Sequence, residues 1–380
     1  MFQTAITADT EKPIGWAERS EYWLSIANNA TRKPKPTKDN NSPLILNGHG
    51  ASLRIEKGAL VIRDGFTHFP QVRSEHRFWP GQPALPTRIL LLDGSGTISF
   101  DVLSWLAAQS IPLARIKWNG EVVTVASGSG FVGDAEKIRW QLETRADPVK
   151  RLQFAADLII QKLAASMETL TAQFLPDREV RLAISQAGRS IAILQKKQFA
   201  DVNEILGIEG GCANTYFNAW RTVTYDWKGI GQHPIPEEWH EVRSRTGRTK
   251  GRGPTNRNAT HPINALLNYA YAVASAQLQI KLIADGFDPS VGILHETQPG
   301  RSAYVLDMIE PLRPVIDAKI LFMLKYHPLA PADFIIRDDG VCRLSPQLAR
   351  AVAALIKGKL DPRGRNQTFK DLQSRVTSTC

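Results

Sequence analysis

Asp307 and Glu310 lie three residues apart in Tyr304-Val305-Leu306-Asp307-Met308-Ile309-Glu310, where the rest of the face is apolar. On a helix that spacing projects both carboxylates from one side. Carboxylates in apolar surroundings repel each other and lose hydration, so they require a cation. Arg313, one turn beyond Glu310, could supply it as a salt bridge, and a divalent metal could supply it as a site. His295 follows the apolar run from Val291 to Leu294 and precedes the polar, glycine-containing segment 296–301. An imidazole there serves either as a hydrogen-bonded structural group or as a metal ligand. Glu209 stands in Ile205-Leu206-Gly207-Ile208-Glu209-Gly210-Gly211-Cys212-Ala213, where small neighbours let a backbone or a ligand come close. It reads equally as an acid at a helix start, complementing the dipole.

Other motifs are weaker. Ser127-Gly128-Ser129-Gly130-Phe131-Val132-Gly133 spells G-x-G-x-x-G, but the chain runs on into helical periodicity instead of a strand with an acidic tip, so it reads as a linker. No P-loop, H-E-x-x-H or G-x-S-x-G is present, and no internal repeat. Cys212, Cys342 and Cys380 share no C-x-x-C spacing, which argues against a zinc site or a disulfide framework and for a reducing compartment. Arg243, Arg245, Arg248, Lys250, Arg252 and Arg257 form a basic stretch without an acid among them. With Trp220, Trp227 and Trp239 upstream, it is either a solvated face or a binder of DNA phosphates that is mobile without DNA.

The elements that must position these residues divide into two kinds. The chain has 380 residues, 43% hydrophobic and 22% charged, with a net charge of +10, which excludes collagen-like and wholly disordered classes and favours a polyanionic partner such as nucleic acid. Residues 1–42 are polar around Lys33-Pro34-Lys35-Pro36 and read as a mobile lead-in without a secretion signal. Residues 43–127 carry strand punctuation, with a hairpin at Lys57-Gly58, a second at Asn119-Gly120 and a helix over 99–109. After the linker 128–134, residues 135–380 have helical periodicity, as in Leu152, Ala155, Ala156, Ile159 and Leu163. The apolar run from Asn264 to Ala284 is broken by Asn268, Gln277, Gln279 and Lys281, so no membrane span is expected, and the cytoplasm is the expected location. The fold class is α+β, strand-rich first and helical second.

Four segments in order resemble the CRISPR-associated adaptation integrase, the Cas-one family: Leu206-Gly207-Ile208-Glu209-Gly210, Pro262-Ile263-Asn264-Ala265-Leu266-Leu267-Asn268-Tyr269-Ala270-Tyr271, Gly292-Ile293-Leu294-His295, and Leu306-Asp307-Met308-Ile309-Glu310-Pro311-Leu312-Arg313-Pro314. The likeness runs from about Pro43, through Gly48-His49-Gly50 and Asp93-Gly94-Ser95-Gly96, to Arg343-Leu344-Ser345-Pro346.

The resemblance implies a β-sandwich-like dimerisation domain followed by an α-helical catalytic domain. It implies a divalent metal, Mn²⁺ or Mg²⁺, held by Glu209, His295 and Glu310, with Asp307 as the acidic neighbour. A nitrogen ligand favours Mn²⁺ in affinity. It further implies a homodimer acting on double-stranded DNA with a Cas-two partner, inserting short fragments into a CRISPR array by transesterification. A transposon-encoded integrase of the same family and a catalytically silent DNA-binding scaffold are the alternatives. His261, Cys212, Asn214 and residues 1–42 depart from the family pattern.

Overall fold

Residues 15–30, 44–66, 73–86, 88–92, 94–116, 122–126, 135–196, 198–231, 233–247, 258–296 and 302–357 are described by the computed structural model. The expected mobile lead-in is corrected at its centre, where Trp16–Ala30 forms a helix, α1. Arg19, Ser20, Trp23 and Ala27 recur at helical spacing and are buried, a stripe that the polar composition around it concealed. Arg19 donates to both carboxylate oxygens of Asp333, at 2.9 and 2.6 Å, and Trp23 Nε1 donates to Oδ1 at 2.7 Å. Burial pushes the Asp333 carboxyl above its ordinary value even with Arg19 opposing.

Removing one partner of a buried pair leaves the other charge uncompensated. Arg19→Ala should therefore cost about 3–5 kcal/mol in urea unfolding. A loss under about 1 kcal/mol, the size of an exposed pair, would show that α1 is not docked this way.

The strand-rich region contains β1 (Leu44–Asn47), β2 (Ala51–Glu56), β3 (Ala59–Arg63), β4 (Glu75–Phe78), β5 (Ile89–Leu92), β6 (Gly96–Ile98), β7 (Leu113–Ile116) and β8 (Val122–Ala126), with helix α2 (Phe100–Ala108) between β6 and β7. They make two sheets, ordered β1-β5-β7-β8 and β4-β3-β2-β6. The β2–β3 hairpin turns at Lys57 and Gly58, with φ of 51° and 82°, the left-handed pair that its two-residue loop demands. β7 and β8 pair antiparallel, while the Asn119-Gly120 turn and the linker 128–134 lie outside the described residues. A Cβ at Gly94 would strike the Gly48 carbonyl, and one at Gly96 the Ala51 carbonyl. Gly94 and Gly96 therefore serve close backbone packing. Leu46, Leu53, Leu60, Ile62 and Ile89 pack with Val102 and Leu106 of α2.

The helical region opens with α3 (Ala135–Ala146), α4 (Pro148–Gln173), α5 (Arg178–Leu194) and α6 (Val202–Ala219). Asp147, Asp177 and Asp201 cap the last three by accepting backbone N–H groups of their first turns. Then come α7 (Pro262–Ala284), α8 (Ala303–Ile309), a 3₁₀ turn over Glu310–Leu312, α9 (Arg313–Tyr326), the short strands β9 (Phe334–Ile336) and β10 (Cys342–Leu344), and α10 (Pro346–Lys357).

α7 is apolar around most of its circumference and runs through the core, where its neighbours include α8, α9 and α10. Leu90 of β5 and Ala114 of β7 belong to the same buried cluster, so one sheet is seated against the helices. Among the described residues, no helix is long and apolar enough to cross a membrane.

Candidate active site

Glu209 lies two turns inside α6, whose first turn is capped by Asp201, so it is not a helix-start acid. It faces a cavity of about 1230 Å³, lined by Glu209, Glu310, Lys162, His295, Arg313 and Asp317 among others. Lys162 Nζ, from the middle of α4, reaches Glu209 Oε1 at 2.5 Å and Glu310 Oε2 at 2.6 Å. Arg313 Nε donates to the other Glu310 oxygen at 2.9 Å. The salt-bridge alternative for Glu310 is thus present, with a second cation beside it. Burial opposes the Glu310 charge, but Arg313 and Lys162 outweigh it and hold the carboxyl down at about 2. Burial likewise opposes the Lys162 ammonium, and Glu310 and Glu209 raise its pKa despite this.

Asp307 faces a different set of partners. It is fully buried, and its Oδ2 accepts from the backbone N–H of Ile293 at 2.6 Å and Leu294 at 3.1 Å. Its Oδ1 accepts from the His295 backbone N–H at 2.8 Å and lies 2.7 Å from His295 Nδ1. The carboxylate therefore pins the His295 loop at four points and orients the ring. A carboxylate bonded to Nδ1 directs the ligand role of an imidazole to Nε2. Gly292 permits the tight path, since a Cβ there would collide with Ala303. Arg151 Nε donates to the Ile293 carbonyl at 2.8 Å, bracing the loop from α4. The spacing that suggested two cooperating carboxylates thus separates them, one holding the loop and one facing the cavity.

Among the described residues, no three His, Cys, Asp or Glu side chains stand close enough to hold a metal ion as arranged. The donor chemistry nevertheless fits a hard divalent ion. Glu209 and Glu310 already converge on a single cation, and His295 lines the same cavity. Lys162 is the member of the site that sequence reasoning missed. Its signal is a charged residue on the inward stripe of α4, beside Ile159 and Leu163.

The basic stretch is described only at its start. Arg248, Lys250, Arg252 and Arg257 lie outside the described residues. Arg243 is exposed and pairs with Glu241 at 3.1 Å. Arg245 departs from the mobile stretch expected: it donates to Asn264 Oδ1 at 3.0 Å and Asn268 Oδ1 at 3.1 Å and lies over the Phe217 and Tyr271 rings. Asn264 Nδ2 returns a bond to the Ser244 carbonyl at 2.7 Å. The asparagines of α7 thus anchor Ser244 and Arg245, in the described start of the stretch, at the cavity wall. Trp220 and Trp239 are buried and Trp227 stacks on Trp239, so these rings are core and not surfaces for bases. His261 is buried with its pKa lowered to about 4 by desolvation, and its Nδ1 accepts from the Ile263 N–H at the start of α7.

Behind Arg313, Asp317 accepts from Tyr216 at 3.0 Å and from Tyr271. Burial pushes its carboxyl up to about 6. The Tyr271 ring also lies 4.8 Å from the Arg313 guanidinium and helps to fix that cation in place.

A family model described as CRISPR associated protein Cas1 matches residues 44–357. A CRISPR-associated endonuclease Cas1 of Archaeoglobus fulgidus is 28% identical over 346 residues, covering 87% of this chain and 92% of the relative. A casposase bound to an integration product superposes with a TM-score of 0.68 at 22% identity, covering 89% of this chain and 91% of that one. A chain of a Cas6-RT-Cas1–Cas2 complex gives a TM-score of 0.66 at 16% identity, covering 93% of this chain and 37% of that one.

Proposed function

The chain belongs to the CRISPR-associated Cas1 family, and from that premise we propose that it is a metal-dependent DNA integrase that inserts short DNA fragments into a CRISPR array. The observation that carries this reading is the convergence of Glu209 and Glu310 on one cation in a cavity that His295 also lines. Glu209, His295 and Glu310 would hold Mn²⁺ or Mg²⁺. Held by these residues, such an ion would supply Lewis-acid polarisation of the target phosphate and would offset the charge that develops there.

Transesterification asks little covalent chemistry of the protein. The 3′-hydroxyl oxygen of the fragment bonds to phosphorus, the target strand's O–P bond breaks, and the target keeps a new 3′-hydroxyl. No enzyme-linked intermediate is required, which agrees with the absence of a nucleophile motif in the sequence. Asp307 keeps the His295 ring turned for its role, and Arg313, backed by Tyr271 and Asp317, keeps the Glu310 carboxyl ionised.

Double-stranded DNA, a second copy of the chain and Cas2 are the proposed partners, and the cytoplasm the proposed location. The likeness to the Cas1–Cas2 assembly and the basic stretch beginning at Arg243 support them. Neutralising Arg248, Lys250, Arg252 and Arg257 together should reduce the slope of log affinity against log salt by about 3–4, close to one unit for each phosphate that is no longer neutralised. An unchanged slope would assign these charges to a solvated face.

The likeness to the casposase favours a second reading, a transposon-encoded integrase working without Cas2. Both are tested by mixing the protein, with and without Cas2, with supercoiled plasmid, short duplex DNA and Mn²⁺. Covalent joining of the duplex to plasmid supports an integrase. Joining that ignores Cas2 and favours transposon-like ends selects the second reading. Binding without joining or cleavage, with metal bound, identifies a silent scaffold, and cleavage alone a plain nuclease.

A further inference from the structure

Lys162 holds the position from which both cavity carboxylates can be reached. Its ammonium lies 2.5 Å from Glu209 Oε1 and 2.6 Å from Glu310 Oε2, with the side chain only 15% exposed. Two carboxylates, one ammonium and one guanidinium make a neutral set. A divalent ion added to that set would leave two excess positive charges in a partly desolvated space, so one resident cation has to withdraw.

The packing decides which one. Arg313 has its planar guanidinium over the Tyr271 ring and donates through Nε to Glu310 Oε1. Lys162 lines the same cavity but carries its charge on a flexible four-carbon stem, with no aromatic ring beneath it among the described residues. It occupies one oxygen of each carboxylate, and an ion that bridged Glu209 and Glu310 would compete with it for both.

We propose that Lys162 is an internal counter-ion that holds Glu209 and Glu310 together in the metal-free protein, and that a divalent ion gains the site only by displacing it. The inference rests on the metal-site reading above. The displaced ammonium remains on the cavity wall, more exposed to solvent than before. Lys162 acts through the two carboxylates and is a positioning residue.

Two measurements on the full-length protein test this without recourse to catalysis. In Mn²⁺ titration calorimetry, Lys162→Met should bind the ion more tightly than wild type by on the order of tenfold, because a competing cation is gone, whereas Lys162→Arg should not. Its melting temperature in EDTA should fall, and Mn²⁺ should raise it by more than in wild type. In acetylation followed by mass spectrometry, wild-type Lys162 should be protected in EDTA and labelled on the order of tenfold faster with saturating Mg²⁺.

A Lys162→Met protein that folds only with Mn²⁺ would support the proposal, and one that folds in neither condition would overturn it. Glu209→Gln separates this inference from its premise. If Glu209→Gln weakens Mn²⁺ binding but Lys162→Met does not strengthen it, or Lys162 labelling ignores Mg²⁺, the displacement is wrong and the metal site stands. If Mn²⁺ binds neither wild type nor Lys162→Met, or binds wild type and Glu209→Gln alike, both fail.

Discussion

Glu209→Ala and His295→Ala should each lower the rate of the proposed strand joining by on the order of 100- to 1000-fold, the loss that follows when charge stabilisation at a reacting centre is removed. Each variant withdraws one of the three groups proposed to hold the ion. Neither should unfold the protein. In Glu209→Ala, Lys162 keeps its bond to Glu310 at 2.6 Å, so no buried charge is abandoned. In His295→Ala, the ring removed is one-third exposed, and the backbone N–H of residue 295 still reaches Asp307. Circular dichroism and DNA binding should therefore stay near wild type while joining disappears. A variant that joins within about threefold of wild type, far inside the 100-fold that losing one such donor costs, would remove that residue from the site.

Asp307→Ala is expected to damage both stability and the site. The carboxylate satisfies three backbone N–H groups in a fully buried position, and each left bare costs about 1–3 kcal/mol unless the loop moves. The loop should move, carrying His295 with it. Mn²⁺ affinity should fall about 10- to 100-fold, the usual penalty for losing a group that orients a ligand. Asp307→Asn separates the two effects. It keeps one acceptor oxygen for the loop but loses the charge beside His295 Nδ1, so it should regain part of the stability while metal affinity stays reduced. If Asp307→Ala binds Mn²⁺ like wild type, the carboxylate is a fold element only and the loop is held by other means, such as Arg151.

The order of strands and helices could be read from periodicity because both regions follow it plainly. The Lys57-Gly58 hairpin and the stripe of α4 are cases where local spacing decides the outcome. The close association of Glu209 with Glu310 could not be read from spacing alone. It depends on α6 and the turn after α8 meeting across α4, and only the family resemblance put them in one site beforehand. Asp307 shows how spacing misleads. Three residues from Glu310, it belongs to the same face of an ideal helix, yet α8 gives way to a 3₁₀ turn at Glu310 and the loop before it captures Asp307. Lys162 is hidden by its surroundings, one of three cations in an amphipathic helix of 26 residues, with partners that arrive from far along the chain. Composition groups Arg245 with its basic neighbours in sequence, whereas its neighbours in space are two asparagines and two aromatic rings.

If the cavity of Glu209, His295 and Glu310 directs a DNA 3′-hydroxyl at a phosphate, the fate of the fragment's end decides it. Wild-type protein with Mn²⁺, plasmid and a labelled duplex ending in a free 3′-hydroxyl should yield plasmid carrying the label covalently. The same duplex with a 3′-dideoxy end should bind equally and yield none, because the oxygen that forms the new bond is missing. Labelled plasmid from the dideoxy duplex, or none from either duplex while the plasmid is cut, would contradict the claim.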